Sequence, residues 1–180
     1  MVKKILITGA NGFLGSAITK LGIKKGYKVS ILVRKNSNLI NLKPFLSKLK
    51  VYYGNLEDIE SLNQPIKDND VIFHVAADYR LWSRKPAEIY AANVLGTENI
   101  ALKTLTHNKI LIYTSSVATL KLKKDFISDE NSVAKFDDMV GDYKKSKFLA
   151  EKIISSFIKK KKLKAIIVNP STPIGEGDIK

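Results

Sequence analysis

Short apolar runs alternate along this chain with stretches in which apolar positions recur every three or four residues. The runs Val2–Thr8, Lys28–Val33, Leu49–Tyr53, Asp70–Val75, Lys109–Thr114 and Lys164–Asn169 predict six strands. Phe13, Leu14, Ala17, Ile18 and Leu21 share one face of a helix that Gly26 closes. Residues Asn38–Lys48 predict a short helix interrupted by Pro44, and Ile59–Ile66 a second short helix. Long helices are expected over Pro86–Thr106 and from Tyr143 to about Lys161. Strict alternation of strand and helix predicts an α/β fold, a doubly wound parallel sheet with helices on both faces. At 180 residues the chain reads as one domain, long enough for a real core.

The first strand runs into three evenly spaced glycines, in Thr8-Gly9-Ala10-Asn11-Gly12-Phe13-Leu14-Gly15. A helix that starts here exposes unpaired N–H groups and partial positive charge, which attract anions. Gly9 permits the tight turn. Gly12 lets a pyrophosphate approach the backbone, and Gly15 lets the helix pack close to the strand. Gly9, Asn11, Gly12, Phe13, Leu14 and Gly15 are therefore candidate cofactor-binding residues. An ordinary strand–turn–helix link is the alternative, and the strand before and helix after weigh against it.

The ends of the later strands add chemistry. Arg34 follows the second strand, where such folds meet the adenosine ribose. An acidic side chain there would accept from a 2′-hydroxyl, whereas Arg34 suits a 2′-phosphate, so NADP is expected over NAD. The third strand ends in Gly54-Asn55-Leu56, where the Asn55 side-chain carbonyl can accept a hydrogen bond. Small Ala76 and Ala77 suit a backbone pressed against the cofactor. His74 beside them invites an acid–base reading, although a satisfied structural histidine fits a strand end better. Tyr79, Arg80, Trp82 and Arg84 are candidate substrate-side residues, or else a plain surface loop.

Tyr143 and Lys147 stand four residues apart on one helical face. An ammonium beside a phenol favours the phenolate. Tyr143 could then exchange a proton with a substrate hydroxyl or carbonyl. Ser116, with Ser115 as its near competitor, would orient that oxygen.

Composition narrows the picture further. The chain has no cysteine, which excludes disulfides, thiolate metal sites and thiol catalysis. No metal site is expected. No apolar run approaches the ~20 residues of a membrane span. Entry straight into a strand predicts no signal peptide and a cytoplasmic protein. The formal charge is +14, but 28 of the 31 basic residues are scattered lysines. Base readers rely on arginine forks, so the charge reads as solvated surface rather than a specific nucleic-acid interface. A small-molecule substrate is the expected partner, and a homodimer is compatible with the chain.

Thr8–Gly15, His74–Trp82, Tyr113–Leu120, Tyr143–Glu151 and Val168–Gly175 together resemble the extended short-chain dehydrogenase/reductase superfamily. Within it the match is to the dihydroflavonol-4-reductase-like group, and most nearly to hopanoid-associated sugar epimerases. The resemblance implies a Rossmann fold over residues 1–180 and an NAD(P) cofactor. It also implies a Ser116, Tyr143, Lys147 triad with Asn93 assisting from the active-site side of its helix. Ser116, rather than Ser115, matches the family position. Lys147 would hold the nicotinamide ribose, and Pro170, Ser171 and Thr172 would touch the nicotinamide end. Asn55 replaces the family's usual aspartate, which weakens the adenine contact. Members of the group continue into a smaller substrate lobe that this chain largely lacks. The expected function is reduction or epimerisation at a hydroxyl or keto carbon of a small molecule or nucleotide sugar. The competing expectation is a cofactor-sensing binding protein without catalysis.

Overall fold

The computed structural model describes residues 3–122 and 127–178. Six parallel strands form one sheet: β1 (Lys4–Thr8), β2 (Lys28–Val33), β3 (Leu49–Tyr53), β4 (Val71–His74), β5 (Ile110–Thr114) and β6 (Lys164–Val168). Their order is β3-β2-β1-β4-β5-β6, with every neighbouring pair parallel. The winding reverses between β1 and β4, so their carboxyl ends form the crevice where such sheets bind ligands. Thr8 and His74 stand opposite each other at that point.

Successive side chains of a strand point to opposite faces, and the sequence fills both. Ile5, Ile7, Val29, Ile31 and Val33 bury one face against Ile18 and Ile23 of α1 (Phe13–Lys24) and against Leu42. The alternate positions, Leu6 and Leu32, join Ile72, Leu111 and Tyr113 on the other face. That face is covered by Leu62, by Ile66 of α2 (Asn63–Lys67), by Ile100 and Ala101 of α4 (Gly96–Thr106), and by Ala150, Ile154 and Phe157 of α5 (Gly141–Lys161). A strand buried on both faces has no polar side to show, which is why these runs are apolar at nearly every position.

Three expected elements differ in kind. The segment Ile40–Lys48 is a 3₁₀ helix throughout, because Pro44 withholds an N–H from the α-helical ladder. The expected helix over Ile59–Ile66 is a 3₁₀ turn, Ile59–Leu62, feeding α2. The helix expected over Pro86–Thr106 is α3 (Pro86–Tyr90), then a π turn over Ala91–Leu95, then α4. The boundaries of β1, β4, β5 and β6 shift by one or two residues, and those of β2 and β3 stand as expected. Val2, expected to open the first strand, lies outside the described residues, as do Ile179 and Lys180.

Candidate active site

The crevice is stitched by a buried polar column. His74 is 1% exposed. Its Nδ1 is hydrogen-bonded to Thr8 Oγ1 at 2.8 Å and its Nε2 to Thr97 Oγ1 at 3.0 Å. Thr8 Oγ1 also accepts from the Ala76 N–H at 3.3 Å. Burial, with the nearby Lys147 charge, pushes the imidazole down to about 3. His74 is therefore neutral near pH 7 and joins β4 to β1 and α4, which is the structural role expected of it.

The glycine turn lies beside this column. Gly9 has φ +68°, and a Cβ there would stand 2.6 Å from the Ala76 Cα. A Cβ at Gly15 would overlap the Gly9 carbonyl. The Gly12 N–H donates to Gly9 O at 3.0 Å. In front of Gly12 there is room, since an added Cβ would meet only Gly9 O, at 3.4 Å. No side chain caps α1, and its first turn, which contains Phe13, Leu14 and Gly15, holds no acidic residue. First-turn N–H groups of an α-helix have no intrahelical acceptor. The result is an open, positively polarised helix end, which suits a pyrophosphate. Asn41 Nδ2 reaches Asn11 O at 3.5 Å and Gly177 O at 3.3 Å. Gly175 packs against the Phe13 ring, so the segment after Pro170 passes across this turn.

Arg34 is exposed just beyond β2. Asn55 is exposed too, and its Oδ1 accepts from the Glu57 N–H at 3.3 Å. Leu56 packs against Gly96, and its carbonyl accepts from Asn99 at 2.9 Å. Ala76 and Ala77 are half-buried, with Ala76 against Gly9 as described.

Lys147 is 3% exposed. Its Nζ donates to Thr114 O, at the tip of β5, at 2.7 Å. The same ammonium lies 4.6 Å from the centre of the Tyr113 ring. Burial pushes it down to about 8, and Glu151 opposes that shift. Tyr143, one turn earlier, is half-buried. Tyr113 stacks on His74 with ring centres 5.7 Å apart. The Tyr113 hydroxyl is buried and makes no well-formed hydrogen bond among the described residues, and burial, then Glu151, raises its pKa.

Asn93 is buried within the π turn. Its Oδ1 accepts from the Asp78 N–H at 2.7 Å, and its Nδ2 donates to Asp78 O at 2.8 Å and to Ser146 Oγ at 2.9 Å. Both amide hydrogens are thus engaged by protein. The side chain ties the segment after β4 to α5.

The two serines after β5 separate. Ser115 donates to Glu151. Ser116, half-buried, accepts from the Ala118 N–H at 3.1 Å. Val117 N–H donates to Pro170 O at 3.2 Å, while Ser171 and Thr172 are exposed. In the loop after β4, Arg80 is held by Asp78 at 2.5 Å and by Glu88 at 3.0 Å. The Arg80 hydrogen bond in turn keeps the Asp78 carboxyl below its ordinary range. Tyr79 and Trp82 are exposed and pin nothing. Sequence reasoning missed Thr8, Thr97, Asn41, Glu151 and Asn169. None of them carries a local pattern that marks it.

The chain matches the family model described as "NAD dependent epimerase/dehydratase family" over residues 5–180. It belongs to that family. A putative dihydroflavonol 4-reductase of Synechocystis sp. is 36% identical over 182 residues, covering 100% of this chain and 52% of that protein. The crystal structure of gox2253 superposes with TM-score 0.89 at 40% identity, over 96% of this chain and 52% of that one. A dTDP-glucose 4,6-dehydratase from Bacillus anthracis, solved with NAD, shares the fold with TM-score 0.85 at 24% identity, over 98% and 57% of the two chains. The chain thus spans about half the length of these relatives. The family is one of nicotinamide-dependent enzymes. Among the described residues no helix is long and apolar enough to cross a membrane, and no group of three or more His, Cys, Asp or Glu side chains is placed to hold a metal ion.

Proposed function

We propose that this chain is the nucleotide-binding and proton-transferring part of an NADP-dependent reductase or epimerase. Its substrate would carry a hydroxyl or keto carbon on a small molecule or nucleotide sugar. The observation that carries the reading is the placement of Lys147. A buried ammonium is costly without partners, yet this one is anchored to Thr114 O at the carboxyl edge of the sheet, four residues from Tyr143.

The glycine turn and the first turn of α1 would hold the pyrophosphate, and Arg34 the 2′-phosphate. Asn55, Leu56, Ala76 and Ala77 would line the adenosine side, and Pro170, Ser171 and Thr172 the nicotinamide side. When bound, the nicotinamide supplies or takes up a hydride. The remaining chemistry belongs to the chain. Tyr143 passes a proton to or from the substrate oxygen. Lys147 favours the ionised phenol through its charge and turns its remaining donors toward the ribose. Ser116 orients the substrate oxygen. Asn93 acts as a positioning residue that holds the Asp78 backbone and α5 together. The cation at Arg34, in a stretch Arg34–Ser37 without Asp or Glu, favours NADP.

The test is a fluorescence titration of the purified chain with NADPH and with NADH. NADPH is expected to bind about tenfold tighter, the worth of one charge-assisted contact. Arg34→Ala should erase that preference while leaving NADH affinity unchanged. A folded chain that binds neither nucleotide refutes the reading. Equal affinity for both refutes its NADP part.

A further inference from the structure

One carboxylate, given no role so far, gathers the elements of the site. Glu151 lies one turn beyond Lys147 on α5 and is half-buried. Its Oε2 accepts from the Ser115 hydroxyl, from the Thr119 hydroxyl at 2.9 Å and from Asn169 Nδ2 at 3.0 Å. These donors come from three places: the end of β5, the 3₁₀ turn after it, and the end of β6. The donors also bind one another's surroundings. Asn169 Nδ2 reaches Ser116 O and Thr119 Oγ1, each at 3.1 Å. The single Thr119 hydroxyl proton is shared between Glu151 Oε2 and Ser116 O, which lies 2.7 Å away.

Ser116 sits inside this ring of bonds but is not bonded to Glu151 itself. Its carbonyl is held by Asn169 and Thr119, and the carboxylate fixes Ser115 just before it and Thr119 three residues after it. Asn169 leads directly into Pro170, whose carbonyl accepts from Val117. A single oxygen thus sets the turn that presents Ser116 and the turn that begins the Pro170–Thr172 segment. Both are set relative to the helix that carries Tyr143 and Lys147.

We propose that Glu151 is a positioning residue, which locks the Ser115–Thr119 turn and the Asn169–Pro170 turn onto α5 so that Ser116 faces Tyr143 and Lys147. The proposal rests on the site reading above. A surface glutamate that merely paired with a lysine would leave both turns free. Charge adds a second effect through the same side chain. The groups that face Lys147 are His74 from β4, Tyr113 from β5 and Glu151 from α5 itself. Of these, Glu151 is the anion, and it opposes the desolvation that lowers the ammonium's pKa.

Two variants separate the effects. Glu151→Asp keeps the charge but withdraws the carboxylate by one methylene. Glu151→Gln keeps the reach but removes the charge. Two readouts are taken by NMR on the purified chain: amide hydrogen exchange, and titration of the Lys147 Cε signal, assigned by its loss in Lys147→Met. Glu151→Asp is expected to speed exchange at Val117 and Thr119 at least tenfold, with the amides of Leu6 and Ile31 unchanged. Glu151→Gln is expected to move the Lys147 midpoint below its wild-type value near 8, while Glu151→Asp holds it. Wild-type exchange at Val117 and Thr119 in the Asp variant, or an unmoved midpoint in the Gln variant, overturns the proposal. Loss of β1 and β2 protection in both variants also overturns it, because Glu151 would then serve the whole fold rather than the two turns. A wild-type chain that shows these signatures but binds neither NADPH nor NADH counts against the functional reading alone.

Discussion

Lys147 places its ammonium 4.6 Å from the centre of the Tyr113 ring while donating to the carbonyl of Thr114. The aromatic face and the carbonyl offset part of the cost of burying the charge. The rest appears as a pKa lowered to about 8. Between pH 8 and 10 the unfolded chain holds this proton and the folded chain releases it. Stability should therefore rise with pH in that window, and the penalty should be fully present below pH 8. The expected slope is about 1.4 kcal/mol per pH unit relative to Lys147→Met. Urea unfolding of both proteins at pH 8, 9 and 10 checks it.

Tyr143→Phe removes one oxygen and leaves the ring. If Tyr143 is the proton donor and acceptor, turnover of any substrate the protein accepts should fall about 10²- to 10⁴-fold. NADPH affinity should stay within about twofold, since that phenol makes no phosphate contact in the proposed pose. Steady-state kinetics beside a binding titration separates the two. Unchanged turnover would remove Tyr143 from the proton-transfer role.

His74 gives a prediction in acid. Its folded pKa lies near 3, below the ordinary 6.5. The unfolded chain then binds more protons between pH 6.5 and 3, so stability is lost as pH falls through that range. From pH 6.5 to 5, above most carboxylate titration, the loss should approach about 1.4 kcal/mol per unit. His74→Gln should flatten this slope, at some cost in stability at pH 7. Thermal melts at half-unit intervals would show it, and an equal slope in both proteins would contradict the buried-neutral assignment.

Gly9→Ala combines two penalties. The backbone there is left-handed at φ +68°, and the new methyl would stand 2.6 Å from the Ala76 Cα. We expect about 1–3 kcal/mol of destabilisation from the backbone strain alone. NADPH binding should fall further than stability does, because the turn must open. Denaturant unfolding and a nucleotide titration of the same sample test both halves.

The sheet was legible because its central strands β1 and β2 are apolar on both faces and each connection changes period. Lys28–Val33 and Leu49–Tyr53 have the limits read from the pattern. Periodicity did not disclose hydrogen-bond type. A π turn and an α turn bury nearly the same side chains, so Ala91–Leu95 reads as ordinary helix. The glycine turn, Tyr143 and Lys147 could be named because each carries a local spacing. Glu151 could not. Four residues after a lysine in a helix rich in charge, it looks like one half of a solvated ion pair. Its partners Ser115, Thr119 and Asn169 meet only once β5 and β6 lie side by side. His74 was read correctly as structural, yet Thr8 and Thr97 are 66 and 23 residues from it, and no local pattern joins them.

The π turn at Ala91–Leu95 sets the phase of everything that follows it. One surplus residue there shifts the downstream helix by about 100° relative to regular winding. Winding these residues as regular α-helix, with none removed, would swing Thr97 away from His74 and turn Asn99 off the Leu56 carbonyl, whereas deleting one residue from the stretch removes the surplus and keeps that phase. The crevice should therefore keep its alignment when one residue is lost inside the π turn and lose it when one is lost from the regular winding ahead of Asn99 in α4.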